Sequence, residues 1–211
     1  MTPPRVLLAD DHTLVAEAFK QLLEPEYSVV GTVTDGRTLL AVAPMLNPDI
    51  ILLDISMPLL NGLDAGRRLK QAMPAVKLIY LTVNEDPQLA AEAFRLGAVG
   101  YVVKSAAASE LFQAIQEVLK GRQYMSPLVT QGLADSLENP KHKHGSERLT
   151  VRQREVLQLL AEGHAMKQVA AILDITARTV AFHKYRIMDE LGFKTNAELI
   201  RFAVKQHIVS T

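Results

Sequence analysis

Ile50-Ile51-Leu52-Leu53-Asp54-Ile55-Ser56-Met57-Pro58, with Asn61-Gly62 just behind it, decides the fold of this chain. Four successive apolar residues do not alternate as a half-solvated strand would, so they read as a strand buried on both faces. The acid at its end, followed by proline and glycine, sets a carboxylate at the strand's carboxyl edge with a tight loop behind it. The same grammar repeats outward. Strand-like runs cover residues 6–9, 28–33, 76–81 and 99–103, and helix-like stretches cover 13–24, 36–46, 62–72, 87–96 and 107–121. Asp35, Asn61, Asp86-Pro87 and Ser109 supply helix starts, and Gly97 and Gly121 supply stops. Five strands alternating with five helices predict an α/β domain over residues 1–122, a five-stranded doubly wound parallel sheet.

In such sheets, ligand chemistry collects beyond the carboxyl ends of the strands. Asp10 and Asp11 close the first strand, Asp54 the third and Thr82 the fourth, and Lys104 follows the fifth. Carboxylates this close repel one another unless a cation joins them, and Mg²⁺, which takes hard oxygen ligands, suits the set. Asp54 can act as a nucleophile toward a phosphoryl group, with the metal held by Asp10 or Asp11 together with Asp54. A backbone carbonyl at Ser56 can complete the metal shell, while Lys104 offers a positive charge to the phosphoryl oxygens and Thr82 a hydrogen bond. Taken singly, Asp10 or Asp11 is simply a helix cap and Lys104 a solvated side chain. Their convergence from four strand ends outweighs those readings.

From Tyr124 to Arg148 the regular pattern fails, and Asn139-Pro140-Lys141-His142-Lys143-His144-Gly145-Ser146 is polar, basic and rich in breakers. Residues 123–147 are therefore expected to be a linker, its two histidines part of a solvated tether rather than a metal site. Residues 148–211 predict an all-α, four-helix domain with helices at 151–162, 166–173, 177–191 and 196–205. A short helix, a tight turn and a longer basic helix make a helix-turn-helix. Thr176 caps the candidate recognition helix, on which Arg178, Lys184 and Arg186 suit phosphates. Thr179, Ala181, Phe182 and Tyr185 are also displayed; Ala181 and Phe182 could touch thymine methyls and Tyr185 could hydrogen-bond, unless Phe182 or Tyr185 packs into its own domain. Charge agrees with this division: residues 1–121 carry a net −4 and residues 122–211 a net +4.

The stretches Leu8-Ala9-Asp10-Asp11-His12, Leu53-Asp54-Ile55-Ser56-Met57-Pro58 with Gly62, Leu81-Thr82, and Gly100-Tyr101-Val102-Val103-Lys104 resemble the flavodoxin-like receiver domains of two-component response regulators, over residues 5–121. No motif position departs from the pattern. The resemblance implies that Asp54 takes phosphate from a sensor histidine kinase in the presence of Mg²⁺. It also implies that Thr82 and Tyr101 form a switch, the hydroxyl moving toward the phosphoryl group and the ring turning inward. Leu149-Thr150-Val151-Arg152-Gln153-Arg154-Glu155-Val156-Leu157, Ile175-Thr176-Ala177-Arg178-Thr179-Val180, His183, Leu191-Gly192 and Ala197-Glu198-Leu199 resemble DNA-binding domains of the LuxR type, over residues 148–209. Ala181 departs from the basic residue that many such domains carry. Together the two halves resemble response regulators of the NarL/FixJ type. That architecture implies a phosphorylation-controlled homodimer on paired half-sites of double-stranded DNA, with the fourth helix as the dimer face of the DNA-binding domain.

Other classes fit less well. An aspartyl-phosphate hydrolase needs a second acid close to its nucleophile, whereas Asp54 is followed by Ile55-Ser56, so no enzyme is expected. A protein-binding adaptor is disfavoured by the basic helix. The absence of cysteine excludes thiolate chemistry and disulfides. No apolar run reaches membrane-spanning length and the N-terminus lacks a signal-peptide pattern, so the expected location is the cytoplasm, without membrane contact.

Overall fold

A computed structural model describes residues 2–105, 108–138 and 149–209, which divide into two compact units. The first is built on a parallel sheet of β1 (Arg5–Ala9), β2 (Ser28–Val33), β3 (Ile50–Leu53), β4 (Lys77–Thr82), β5 (Gly100–Val103) and β6 (Tyr124–Met125), in the order β2-β1-β3-β4-β5-β6. Parallel neighbours need crossovers, which α1 (Thr13–Leu23), α2 (Gly36–Leu46), α3 (Gly62–Ala72), α4 (Pro87–Arg95) and α5 (Ala108–Leu119) supply. The chain leaves β1 toward β2 and returns to β3 before running outward through β4 and β5. That reversal opens a crevice beyond the carboxyl ends of β1 and β3, where Asp10 and Asp54 stand.

Alternation across the pleat explains why the central strands are apolar throughout. Val6, Leu8, Ile50, Leu52, Ile79, Leu81 and Val102 join Leu23 of α1 and Leu111, Ala114, Ile115 and Val118 of α5 in one core cluster. The intervening Leu7, Ile51, Leu53, Leu78, Tyr80 and Tyr101 point the other way and are equally buried. A fully buried side chain of this size stabilises by about 1.5–3 kcal/mol, so a sheet covered on both faces collects this twice per residue pair.

The largest departure from the sequence reading lies after α5. The sheet has a sixth strand among the described residues, β6, which pairs with β5 through Gly100↔Tyr124 and Tyr101↔Met125. A further helix, α6 (Pro127–Glu138), follows it and packs on α4. The irregular connection expected from residue 123 thus begins as part of the first unit. Two paired residues carry no periodicity that a sequence can display, and Gly132 inside α6 reads as a breaker. The polar stretch 139–146 lies outside the described residues.

The second unit contains α7 (Val151–Ala161), α8 (Met166–Leu173), α9 (Ala177–Leu191) and α10 (Asn196–Lys205). Their ends follow capping chemistry. Thr150 and Gln153 form a reciprocal capping box, as do Thr195 and Glu198, and the Thr176 side chain accepts from the Thr179 N–H. Asp174, at φ 51°, makes the left-handed turn between α8 and α9. Val156, Leu159, Val169, Ala170, Leu173 and Val180 bind α8 and the start of α9 to α7. Leu149, Leu157, Ile187, Leu199, Ala203 and Ile208 bind the rest of α9 to α10. Ile172 and Ile175 pack against the first of these clusters and are only partly buried.

Candidate functional site

The parallel ladder runs past the ends of the strands and holds the chemical residues by their backbones. The Asp10 N–H donates to the Val33 carbonyl at 3.0 Å, the Asp54 N–H to Ala9 at 2.8 Å and the Lys104 N–H to Thr82 at 2.7 Å. Four strand ends are thereby fixed at one edge. Lys104 Nζ stands 2.6 Å from Asp10 Oδ2 and 2.8 Å from Asp54 Oδ2, with all three side chains less than a tenth exposed. Asp10, Asp11, His12 and Asp54 each bring one ligand-type atom within 4.8 Å of the others. His12 Nδ1 lies 2.9 Å from Asp11 Oδ1, yet that oxygen is buried without a hydrogen-bond partner. The Ser56 N–H reaches Asp54 Oδ1 at a long 3.4 Å.

Electrostatics follow from this crowding. Burial pushes the Asp54 carboxyl above the ordinary carboxylate range, and the Lys104 ammonium draws it back only in part. For Lys104, burial works against the charge, but Asp54 and Asp10 outweigh it and hold the ammonium above its usual pKa. Asp10 and Asp54 share the one buried ammonium, and Asp11 Oδ1 beside them is buried without a hydrogen bond. Hard oxygen donors with an unmet need for positive charge fit Mg²⁺.

The loop behind Asp54 is held by a notch. An ideal Cβ at Gly62 would lie 2.0 Å from the Asp54 carbonyl oxygen, so only glycine lets α3 start this close to the strand end. The Gly62 N–H donates to the Ile55 carbonyl at 2.8 Å, and the Tyr80 hydroxyl donates to the Gly62 carbonyl at 3.1 Å. Burial pushes the Tyr80 phenol far above its usual range, so it stays a donor.

Thr82 and Tyr101 meet at Asn84. The Asn84 N–H donates to Thr82 Oγ1 at 3.2 Å, and the Tyr101 hydroxyl donates to the Asn84 carbonyl at 2.9 Å. The Tyr101 ring, expected to turn inward, is fully buried in this structure.

In the helical unit, α9 keeps Val180 and Ile187 inside and leaves Thr176, Arg178, Phe182, Tyr185 and Arg186 exposed. Phe182 is 59% and Tyr185 62% exposed, so neither is a core residue of its own domain. Thr179, Ala181 and Lys184 are half-buried. Lys184 stands 5.7 Å from the Tyr185 ring centroid and borders a groove with Gly163, His164, Asn196 and Ile200. No helix among the described residues is long and apolar enough to cross a membrane.

Two family models match: "Response regulator receiver domain" over residues 6–116 and "Bacterial regulatory proteins, luxR family" over residues 147–203. The chain belongs to the response regulator family. Among curated relatives, this response regulator is 34% identical over 208 residues to the transcriptional regulatory protein MctR of Rhizobium johnstonii, covering 98% of this chain and 95% of that one. It is 32% identical over 208 residues to the response regulator GacA of Pseudomonas aeruginosa, covering 97% of each. Among solved structures, it resembles the RcsB response regulator of Salmonella typhimurium with a TM-score of 0.67 and 27% identity, over 98% of this chain and 99% of that one. An RcsB–DNA complex matches with a TM-score of 0.61 and 26% identity, over 97% and 99%. The response regulator is thus a receiver joined to a LuxR-type DNA-binding domain, the architecture of a DNA-binding transcription regulator.

Sequence reasoning placed Asp10, Asp11, Asp54, Thr82 and Lys104 at strand ends, where the structure has them. It assigned no role to His12, although the residue follows two acids directly, nor to Tyr80, whose position inside an apolar strand conceals its hydroxyl.

Proposed function

We propose that Asp54 is the phosphoacceptor of this response regulator and that a sensor histidine kinase is its phosphodonor. The observation that carries this reading is the Lys104 ammonium seated between the Asp10 and Asp54 carboxylates at the switch point of the sheet. An Asp54 oxygen attacks phosphorus, the bond from phosphorus to the donor breaks, and an acyl phosphate remains. Asp10, Asp11, Asp54 and the Ser56 carbonyl would hold Mg²⁺, which when bound would supply positive charge to the phosphoryl oxygens. Lys104 turns from the Asp54 carboxylate to a phosphoryl oxygen, and Thr82 donates its hydroxyl to another. Thr82 thereby alters its hold on Asn84, and with it the surroundings of Tyr101.

In the DNA-binding half, Thr176 and the first turn of α9, Arg178, Lys184 and Arg186 meet phosphates, while Thr179, Ala181, Phe182 and Tyr185 face base edges. The exposure of Phe182 and Tyr185 supports this assignment. The molecule works in the cytoplasm as a homodimer on paired half-sites, and phosphorylation sets its DNA affinity. The test is intact mass after incubation with Mg²⁺ and acetyl phosphate, beside Asp54→Ala. One phosphoryl group gained by the parent alone is expected. An equal gain by Asp54→Ala would remove Asp54 from this role. No gain from acetyl phosphate or from the cognate kinase would leave only the DNA-binding half of the proposal.

A further inference from the structure

Helix α6 is tied to the switch at two points along its first half. At its start, Ser126 joins α6 to β5: its N–H donates to the Tyr101 carbonyl at 2.9 Å, and its hydroxyl oxygen accepts from the Val103 N–H at 3.1 Å. That hydroxyl donates in turn to Glu110 of α5, and the Thr130 hydroxyl donates to the Ser126 carbonyl at 3.2 Å. Val129 is completely buried. One turn further on, Gly132 meets the start of α4, where an ideal Cβ at Gly132 would lie 2.8 Å from Pro87 Cγ.

Pro87 ends a chain of bonds that begins at Thr82. Thr82 accepts from the Asn84 N–H, Asn84 Oδ1 accepts from the Asp86 N–H at 2.8 Å, and Asp86 Oδ1 accepts from the Gln88 N–H at 2.9 Å, capping α4 with Pro87 at its first position. Asn84 is held by its N–H on Thr82 and by its carbonyl under the Tyr101 hydroxyl, so neither residue can shift without disturbing the loop that sets Pro87. A side-chain-free face at Gly132 lets α6 lie on that ring with nothing between them. At about 1.5 Å per residue, the helix carries any tilt at Gly132 roughly 9 Å further, to its end at Glu138. From there the chain continues to the DNA-binding domain.

We propose that α6 is the output lever of the receiver, and that the contact of Gly132 with Pro87 is the point at which the Thr82–Asn84–Tyr101 switch moves it. The inference rests on Asp54 being the phosphoacceptor and concerns the relay of the signal once Asp54 is phosphorylated. Because the chain has no cysteine, Pro87→Cys/Gly132→Cys introduces a single disulfide-forming pair. Closure is read by intact mass, phosphorylation by the mass gain with acetyl phosphate, and DNA affinity by anisotropy on a fragment selected with the phosphorylated parent. The oxidised variant is expected to take the phosphoryl group as the parent does and to lose the affinity gain. That gain is about 5–150-fold for an ordinary coupling, and reduction should restore it. Gly132→Ala is the second variant: its methyl pushes α6 off Pro87, and the unphosphorylated protein should bind DNA more tightly than the parent.

A closed disulfide that leaves the gain intact overturns the proposal, as does failure of the pair to close or a Gly132→Ala protein with the parent's resting affinity. If the parent itself shows no phosphorylation-dependent affinity, the reading on which the proposal rests fails, and the lever falls with it.

Discussion

Replacing Gly62 by alanine tests how closely the phosphoacceptor loop is set. The added Cβ would stand 2.0 Å from the Asp54 carbonyl oxygen and 2.9 Å from both the Asp54 carbonyl carbon and Ile55 Cα, all of them backbone atoms. Ordinary contact begins at 3.4 Å, so the first separation must open by 1.4 Å, and no flexible side chain is there to yield. Either α3 lifts from the sheet or the Asp54–Ser56 segment moves. Overpacking of this kind costs about 1–3 kcal/mol, read as a lower urea midpoint at unchanged slope. Displacing a reacting group by about 1 Å costs on the order of 100-fold in rate. Gly62→Ala should therefore take phosphate from acetyl phosphate roughly 100-fold more slowly at saturating Mg²⁺, with its fold retained by circular dichroism. A Gly62→Ala protein with the parent's stability and phosphorylation rate would refute the notch.

Tyr80→Phe removes the hydroxyl on the Gly62 carbonyl while keeping the ring, and should lower stability by about 0.5–1.5 kcal/mol in urea titration. Asp54→Asn should raise the urea midpoint at pH 7 in metal-free buffer. The folded-state pKa of Asp54 lies above its ordinary value, so the cost of its charge is absent below the unfolded-state pKa and complete above the folded one. The gain should accordingly shrink as pH falls through the carboxylate range, and a pH-independent gain would contradict the electrostatic cause. Arg186→Ala, on the exposed face of α9, should weaken binding to all DNA sequences alike and reduce the slope of log K against log salt by about 0.9, the share of one phosphate contact. Thr176→Ala removes the cap of α9 and should cost about 1 kcal/mol of stability in thermal or urea unfolding.

The acidic pocket was legible because a parallel sheet leaves a plain trace: an apolar run, then a polar residue where the ladder ends. Asp54 after Ile50–Leu53, and Thr82 closing β4 after the apolar run 78–81, are of this kind. The helix boundaries of the second unit were legible from caps and glycines, Thr150, Thr176, Gly163 and Gly192 among them. The fate of Phe182 and Tyr185 was not, since an aromatic beside a helical core stripe can face either way, and only tertiary packing leaves both exposed. Tyr80 was opaque for a different reason: its role lies in a contact with the Gly62 carbonyl, 18 residues away, which no local pattern encodes. The pairing of Tyr124 and Met125 with β5 is likewise non-local.

That pairing bears on where the chain can be cut. Truncation at residue 122, the boundary that composition suggests, would strip β5 of its outer neighbour and take away Ser126, the partner of the Val103 N–H. The trimmed receiver would present Gly100–Val103, four buried and largely apolar residues, as a bare edge open to strand addition by another molecule. A fragment ending at Glu138 keeps that edge closed, and should stay monodisperse at concentrations where the shorter one aggregates.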